Sequence, residues 1–147
     1  MKLNFELVPD SCWYSNLRSH LKKSQWDNLR KDSYAKAGGK CMICSAKTSR
    51  LEAHERWSYD DEKRVQKLQE IIAVCHACHS VIHIGRTQLV GDEDKPIKHF
   101  MKVNACSYAD YRKALGEANA LHRERNKWEW ILDVTLLKEL LGEEVIV

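Results

Sequence analysis

Alternating apolar and polar positions predict two strands in the middle of the chain. The segment "RLEAHERWSY" at residues 50–59 alternates in the manner of a strand with one buried face. The segment "IIAV" at 71–74 is apolar and β-branched, which is typical of a second strand. Between them, "DDEKRVQKLQE" predicts a polar connection that is partly helical.

Helices are predicted before these strands and directly after them. Ser24 with Asp27 resembles a capping box, and Gly38-Gly39 is a typical helix end, so a basic helix is predicted over residues 24–37. The segment "CHACHSVIHIG" predicts a turn and then a short helix that ends at Gly85. Near the start of the chain, "LNFELV" predicts a short strand or an extended arm.

The last third of the chain has the pattern of a helical extension. Pro96 suits the first turn of one helix, and Ser107 suits the N-cap of a longer helix that runs to about Lys127. Thr135 suits the cap of a last short helix, "LLKELLG". The apolar residues expected in the core of this part are Trp128, Trp130, Ile131 and Leu136.

Together these elements predict an α+β fold that is mostly helical and forms one domain. The chain has 147 residues, a size typical of a single compact domain, and 44% of them are hydrophobic. We expect an N-terminal arm and basic helix over 1–39, a metal-clamped core over 40–86 and a helical extension over 87–147. No apolar run reaches membrane-spanning length and no signal-peptide pattern follows Met1, so we expect a cytoplasmic protein without a membrane partner.

Positive charge is concentrated in one segment near the start of the chain. The formal net charge is only +3, but between residues 18 and 50 basic residues clearly outnumber Asp27 and Asp32. A basic segment suits a polyanion such as DNA, although a solvated helix face has the same composition. The residues that we expect to contact phosphates are Arg30, Lys31, Lys40, Lys47, Arg50 and Arg86.

Two pairs of cysteines, each separated by two residues, predict a structural zinc site. The pairs are Cys41 with Cys44 and Cys75 with Cys78. This spacing lets a tight turn aim both thiolates at one ion, and two such turns complete a tetrahedron of sulfurs. Disulfides are disfavoured in a cytosolic chain, which favours metal binding. A weaker alternative replaces one of the thiolates with a neighbouring histidine.

Histidines next to the second cysteine pair predict a second metal site. His79 and His83 are four residues apart on the predicted short helix, so they share a face. Such a pair can chelate an ion, while an ordinary surface or core pair is the alternative. The histidines expected at the surface, because no partner is visible in the sequence pattern, are His20, His99 and His122.

Four motifs between residues 40 and 85 resemble the HNH endonucleases. They are "CMIC", "LEAHE", "IIAVCHACH" and "HSVIH". The longer segments "HERWSYDD" and "CHACHSVIHIGR" are similar to a bacterial and phage subgroup of that family. The resemblance implies a ββα-metal core over 40–86 in which a structural zinc ion clamps a hairpin to a helix.

The same resemblance implies a metal-dependent enzyme that hydrolyses phosphodiester bonds of DNA. His54 in the first strand corresponds to the general base, and His79 and His83 correspond to ligands of a catalytic ion, which is Mg²⁺, Mn²⁺, Ni²⁺ or Zn²⁺. Glu70 corresponds to the residue that positions the base. Many small nucleases of this kind dimerise, so a homodimer is a further expectation.

One position departs from the pattern of the family. Ala53 stands where a metal ligand usually precedes the base. Glu52 lies two residues before His54, on the same face of the predicted strand, and is the expected replacement ligand. The alternative function is an inactive zinc-bound scaffold that binds nucleic acid, a nucleotide ligand or a partner protein.

Overall fold

A computed structural model describes residues 1–12, 17–89, 91 and 93–142. This part of the chain confirms an α+β fold, about half helical, with one small three-stranded sheet. The elements are α1 (Leu17–His20), α2 (Lys23–Ala37), β1 (Leu51–Asp60), β2 (Val65–Cys75), α3 (His76–Ile82), α4 (Ile84–Leu89), α5 (Asp94–Asn104), α6 (Tyr108–Arg125), β3 (Ile131–Asp133) and α7 (Thr135–Leu141).

The predicted pair of strands forms an antiparallel hairpin, β1 with β2. The connection is shorter than expected, because β2 already begins at Val65 and the segment predicted as partly helical is mostly strand. The segment is rich in polar residues, which hides the fact that alternate side chains are buried as in a strand. Gln66 and Leu68 are each only 1% exposed. The Asp60 carboxylate tightens the turn by accepting the backbone N–H of Glu62 and of Lys63.

A third strand comes from the end of the chain. β3 pairs in parallel with the first residues of β2, in the register Val65–Ile131 to Lys67–Asp133. The extension predicted as helical therefore completes the sheet with a strand. Of the residues expected in its core, Trp130 is buried, whereas Trp128 and Ile131 are 47% and 64% exposed.

Helix ends follow the predicted capping residues in some cases but not in others; at α7, for example, the N-cap is Val134 rather than Thr135. α2 ends at Gly38 in the left-handed conformation, as predicted, but its N-cap is Lys22 rather than Ser24. α6 begins after Ser107, whose hydroxyl accepts the backbone N–H of Asp110. Pro96 lies in the first turn of α5, where its missing N–H costs little.

The helix after β2 is divided into two. α3 ends at Ile82, and α4 continues from Ile84 through Gly85, so the predicted stop at Gly85 is wrong. Gly85 does not take the left-handed conformation that ends α2. The break falls at His83, whose backbone N–H still donates to the carbonyl of His79.

The N-terminal residues form an extended arm that packs against α5 and α6. The side chain of Asn104 holds both backbone groups of Leu3, at 3.0 and 2.8 Å. Phe5 stacks on Phe100, with ring centres 5.1 Å apart, and meets Tyr111 edge-on. The arm is thus anchored at α5 and α6.

Apolar side chains pack in two clusters on either side of the hairpin. The first lies between β2, α3, α5, α6 and the arm, and it includes the cysteine pairs. The second lies between α1, α2, β2 and α7, and its buried members are Leu17, Leu21, Leu29, Leu68 and Leu137. Within residues 1–12, 17–89, 91 and 93–142, no helix combines the length and apolar character needed to cross a bilayer.

Candidate metal sites

The two cysteine pairs meet where β2 passes into α3. The sulfurs of Cys41, Cys44, Cys75 and Cys78 all lie within 4.8 Å of one another. The Cys44 and Cys75 sulfurs are 3.7 Å apart, whereas a disulfide spans only about 2.05 Å. Four thiolates bound to zinc at about 2.3 Å lie roughly 3.8 Å apart in a tetrahedron. The cluster is therefore compatible with a zinc site, as the sequence predicted.

Backbone N–H groups in the two turns point at the sulfurs. Ile43 and Cys44 donate to the sulfur of Cys41, and Cys78 donates to that of Cys75. Burial by itself raises the pKa of Cys41, but the hydrogen bonds to its sulfur, chiefly from backbone groups, outweigh burial and lower that pKa to about 7. Burial and the neighbouring thiols raise the pKa of Cys78 instead. A bound cation would offset this repulsion, since metal ligation requires deprotonated thiols.

His99 is a neighbour of this cluster that the sequence did not reveal. Its Nε2 atom lies 3.1 Å from the sulfur of Cys78, although we expected it at the surface without a partner. Burial lowers the pKa of His99, which favours the neutral ring. A neutral imidazole that donates to a thiolate orients it and reduces its charge. Because His99 comes from α5, no local spacing connects it with the cysteines.

Three histidines form a second cluster beside the first. One ring nitrogen from each of His54, His79 and His83 lies within 4.8 Å of the others. The ring centres are 5.6, 5.5 and 4.7 Å apart. Three imidazoles on one tetrahedral ion, with bonds of about 2.0–2.1 Å, place their ring centres roughly 5 Å apart. The structure thus brings together the three histidines singled out in the sequence.

The histidines meet because of how β1 pairs with β2 and how α3 follows β2. His54 lies opposite Ile72 in the hairpin, and α3 starts directly after β2. The chain therefore turns back over β1 and places His79 and His83 above His54. His54 is only 3% exposed, so it lies at the base of the cluster.

The two helical histidines are held in their neutral form. Burial, followed by the nearby His79 and His54, lowers the pKa of His83 to about 3. Burial also lowers the pKa of His79, against the opposing effect of Glu52. Neutral imidazoles keep the lone pair that a metal ion needs, so both side chains are ready to act as ligands at neutral pH.

Glu52 contacts the cluster from outside. Its carboxylate lies 2.7 Å from Nδ1 of His79 and 3.0 Å from Nδ1 of His76. This contact occupies one nitrogen of His79 and leaves Nε2 for an ion. The structure therefore places Glu52 behind a histidine, in the manner of a carboxylate that orients a metal ligand, rather than beside the three ring nitrogens.

Glu6, which the sequence did not suggest, contacts His54. Its carboxylate lies 2.8 Å from Nε2 of His54. The contact that we expected of Glu70 is therefore made by a residue of the arm, while Glu70 pairs with Arg56 at the surface, 2.9 Å away. A single carboxylate within the arm carries no motif, so only the folded chain shows this partner.

Cavities open on two sides of the histidine cluster. A cavity of about 800 Å³ lies between the arm and α6 and reaches His54 and Glu6. A second, of about 560 Å³, reaches His79 and His83 and is also lined by Arg86 and Lys95. The Glu52 carboxylate lines the second cavity too, but the two basic side chains outnumber it, and an excess of positive charge suits an anionic ligand.

The basic residues predicted to contact phosphates are distributed unevenly. Arg86 lines the cavity at His79 and His83, and Lys95, not expected from the sequence, faces the same space. Arg30 is only half-buried and pairs with Asp27 inside α2. The remaining members are exposed: Lys31, Lys40, Lys47 and Arg50.

No family model matches this chain, and neither a curated protein nor a solved structure matches it. What the chain does is therefore argued from its own residues and from the geometry of the two clusters. The chemistry available there is a sulfur site suited to zinc and a histidine site suited to a divalent transition metal.

Proposed function

We propose that the chain is a metal-dependent endonuclease of the HNH type that hydrolyses phosphodiester bonds of DNA. The observation that carries the proposal is the cluster of His54, His79 and His83. A purely structural zinc domain needs its cysteines but has no use for three converging imidazoles. His79 and His83 line a cavity that also has two basic side chains and the Glu52 carboxylate, and the excess of positive charge there supports a phosphate ligand.

His79 and His83 hold the divalent ion in this proposal. Nδ1 of His79 is taken by Glu52, so Nε2 is the nitrogen that binds. A bound divalent cation would neutralise charge that develops on the phosphate and on the leaving 3′ oxygen. Imidazole ligands suit Zn²⁺ and Ni²⁺, whereas Mg²⁺ and Mn²⁺ prefer oxygen ligands.

His54 acts as the general base. Its Nε2 is occupied by Glu6, so Nδ1 accepts the proton of the attacking water. The water oxygen forms the new bond to phosphorus, the bond to the 3′ oxygen breaks, and solvent protonates the departing oxygen. A histidine suits this role because its ordinary pKa lies close to neutral pH.

Arg86 and Lys95 hold the DNA backbone at the histidine cluster. Both side chains line the cavity that His79 and His83 reach. Phosphate contacts of this kind position the substrate without reading its sequence. The proposed zinc ion in the cysteine cluster keeps the hairpin and α3 in register, and thereby keeps His54 under the helical pair.

A zinc-bound scaffold without catalysis is the second candidate. The observation that favours it is Ala53, whose methyl group cannot replace the usual metal ligand, together with the placement of Glu52 behind His79. Such a scaffold would bind an anionic ligand (nucleic acid, a nucleotide or an acidic partner protein) through the same basic cavity.

A plasmid-cleavage assay tests the proposal. Zinc-loaded protein is incubated with supercoiled DNA and with Mg²⁺, Mn²⁺, Ni²⁺ or no added ion. We expect metal-dependent nicking that falls by about 10²–10⁴-fold in His54→Ala, because a general base contributes that much. His20→Ala is the matched control, since His20 is exposed and lies outside the cluster.

Two results would contradict parts of this proposal. Cleavage that persists in His54→Ala would remove His54 from the reaction. Absence of cleavage with every ion, while zinc stays bound and DNA still shifts on a gel, would favour the inactive scaffold.

A further inference from the structure

We propose that Glu6 is a positioning residue that fixes the tautomer of His54 and leaves its Nδ1 free to act. The inference rests on the proposed function and adds the N-terminal arm to the site. Its basis is the 2.8 Å contact between the Glu6 carboxylate and Nε2 of His54.

A carboxylate and a neutral imidazole can share this contact in only one way. An ionised carboxylate accepts hydrogen bonds and donates none, so the hydrogen must sit on Nε2 of His54. Nδ1 then carries a lone pair and no hydrogen. Glu6 selects this tautomer as a carboxylate does behind many reactive or metal-binding histidines.

The opposite nitrogen of His54 is in an unusual environment. Nδ1 is buried, and no described residue forms a hydrogen bond with it. A buried polar atom without a partner is costly and rare in native proteins. The His54 ring meets the rings of His79 and His83 edge-on, with ring centres 5.6 and 5.5 Å away, so a lone pair on Nδ1 lies at the histidine cluster.

Glu6 is held on both sides and does not depend on His54 for its position. Its second carboxylate oxygen accepts the backbone N–H of Trp57 at 3.2 Å. Its own backbone N–H donates to the carbonyl of Ile82 at the end of α3, at 2.9 Å. The carboxylate is therefore fixed relative to β1 and to α3, the two elements that carry the histidines.

Neighbouring residues of the arm reinforce this placement. Asn104 binds the backbone of Leu3, and Phe5 packs between Phe100 and Tyr111. With residues 3, 5 and 6 each anchored, little conformational entropy remains to be lost when Glu6 meets His54. The arm is thus a component of the site and not a free tail.

Glu6→Gln and Glu6→Asp test the proposal, with Glu117→Gln as the matched control. The glutamine keeps the shape and removes the charge, while the aspartate keeps the charge and shortens the reach by one methylene. Glu117 lies on α6 and lines the same cavity, whereas the carboxylate that pairs with His54 is that of Glu6, so Glu117→Gln makes the same charge change without removing this contact.

Long-range ¹H–¹⁵N NMR of the imidazole rings reads the tautomer directly in the zinc-loaded chain. In the unaltered chain we expect hydrogen on Nε2 of His54, and in Glu6→Gln a mixture of tautomers. We also expect kcat for plasmid nicking to fall by about 10–100-fold in Glu6→Gln, with KM changed less than about twofold. Glu6→Asp should recover part of kcat, and Glu117→Gln should leave the tautomer and kcat unchanged.

Several outcomes would overturn the inference. Hydrogen on Nδ1 of His54 in the unaltered chain would do so at once, and so would an unchanged tautomer and kcat in Glu6→Gln. A third contradicting result is a Glu6→Gln variant that keeps its full kcat at saturating ion and loses only ion affinity. That result would indicate that Glu6 supports His54 as a metal ligand and not as a general base. The NMR measurement needs no substrate, so it tests the role of Glu6 independently of cleavage. If the unaltered chain fails to cleave DNA, that result contradicts the proposed nuclease and leaves the tautomer measurement intact.

Discussion

Two carboxylates decide which histidine nitrogens remain free at the site. Glu52 occupies Nδ1 of His79, and Glu6 occupies Nε2 of His54. Both contacts come from outside the ring cluster, so in the proposed reaction each carboxylate would act through a histidine. Each of these contacts is a single hydrogen bond, so a single substitution can remove one and leave the other in place.

Glu52→Gln should weaken ion binding at the histidine cluster. Loss of the charge behind His79 reduces the basicity of its Nε2 and loosens the ring, and such changes typically cost about 10–100-fold in metal affinity. Titration of zinc-loaded protein with Co²⁺, followed by absorbance, measures the effect. Glu62→Gln in the β1–β2 turn is the control, since the Glu62 side chain is exposed and distant from the rings. Equal affinities in the two variants would contradict the role of Glu52.

Residues of the sites differ in how far the sequence reveals them. The cysteine pairs and His79 with His83 are visible because their ligand spacing is local. His99 and Glu6 are not visible, since each reaches its partner from an element far along the chain. No periodicity or spacing encodes a contact of that kind.

Among the elements, α6 supports the site indirectly. Its Tyr111 is buried against Phe100 and Phe5, which fixes the arm that carries Glu6. The helix is started by the reciprocal hydrogen bonds of Ser107 and Asp110. The stability of the arm therefore depends on a helix cap that lies far from the arm along the sequence.

Ser107→Ala should destabilise the fold by about 1 kcal/mol, because an N-cap hydroxyl satisfies a backbone N–H that is otherwise unpaired. Urea unfolding of the zinc-loaded chain measures it. Ser24→Ala is a matched control: Ser24 has the sequence pattern of a cap but lies inside α2, after the N-cap Lys22. We expect little change there. A similar loss in both variants would assign the effect to serine removal in general.

Element boundaries show where local signals suffice. Gly38 and Ser107 end and begin their helices as expected, because capping involves only near neighbours. The start of β2 at Val65, the passage of α4 through Gly85 and the pairing of β3 with β2 were missed. These depend on burial against distant segments, which overrides local preference.

For the whole molecule, the cysteine cluster joins parts that are separate in sequence. Cys41 and Cys44 follow α2, while Cys75 and Cys78 connect β2 to α3. The cluster also borders the apolar core that holds the arm, α5 and α6. A bound ion would therefore tie the hairpin, the helical histidines and the arm into one body.

Removal of zinc should unfold much of the chain. Structural zinc contributes about 10–16 kcal/mol in small zinc domains, as much as the whole stability of a typical domain, about 5–15 kcal/mol. We expect Cys44→Ser to lose the ion and melt well below the unaltered chain, by metal analysis and circular dichroism. Cys106→Ser is the control, because Cys106 lies outside the cluster. An unchanged melting temperature without zinc would contradict a structural role.

The sequence by itself determined the cysteine cluster, the pair of His79 and His83, the ends of two helices and the α+β class. Those features follow from spacing and from the chemistry of residues close together along the chain. Only the tertiary structure decided that Glu6 contacts His54, that His99 contacts Cys78 and that Glu70 is paired elsewhere. The physical reason is that a hydrogen bond between distant residues depends on how whole elements pack, and packing is settled by the burial of many side chains at once.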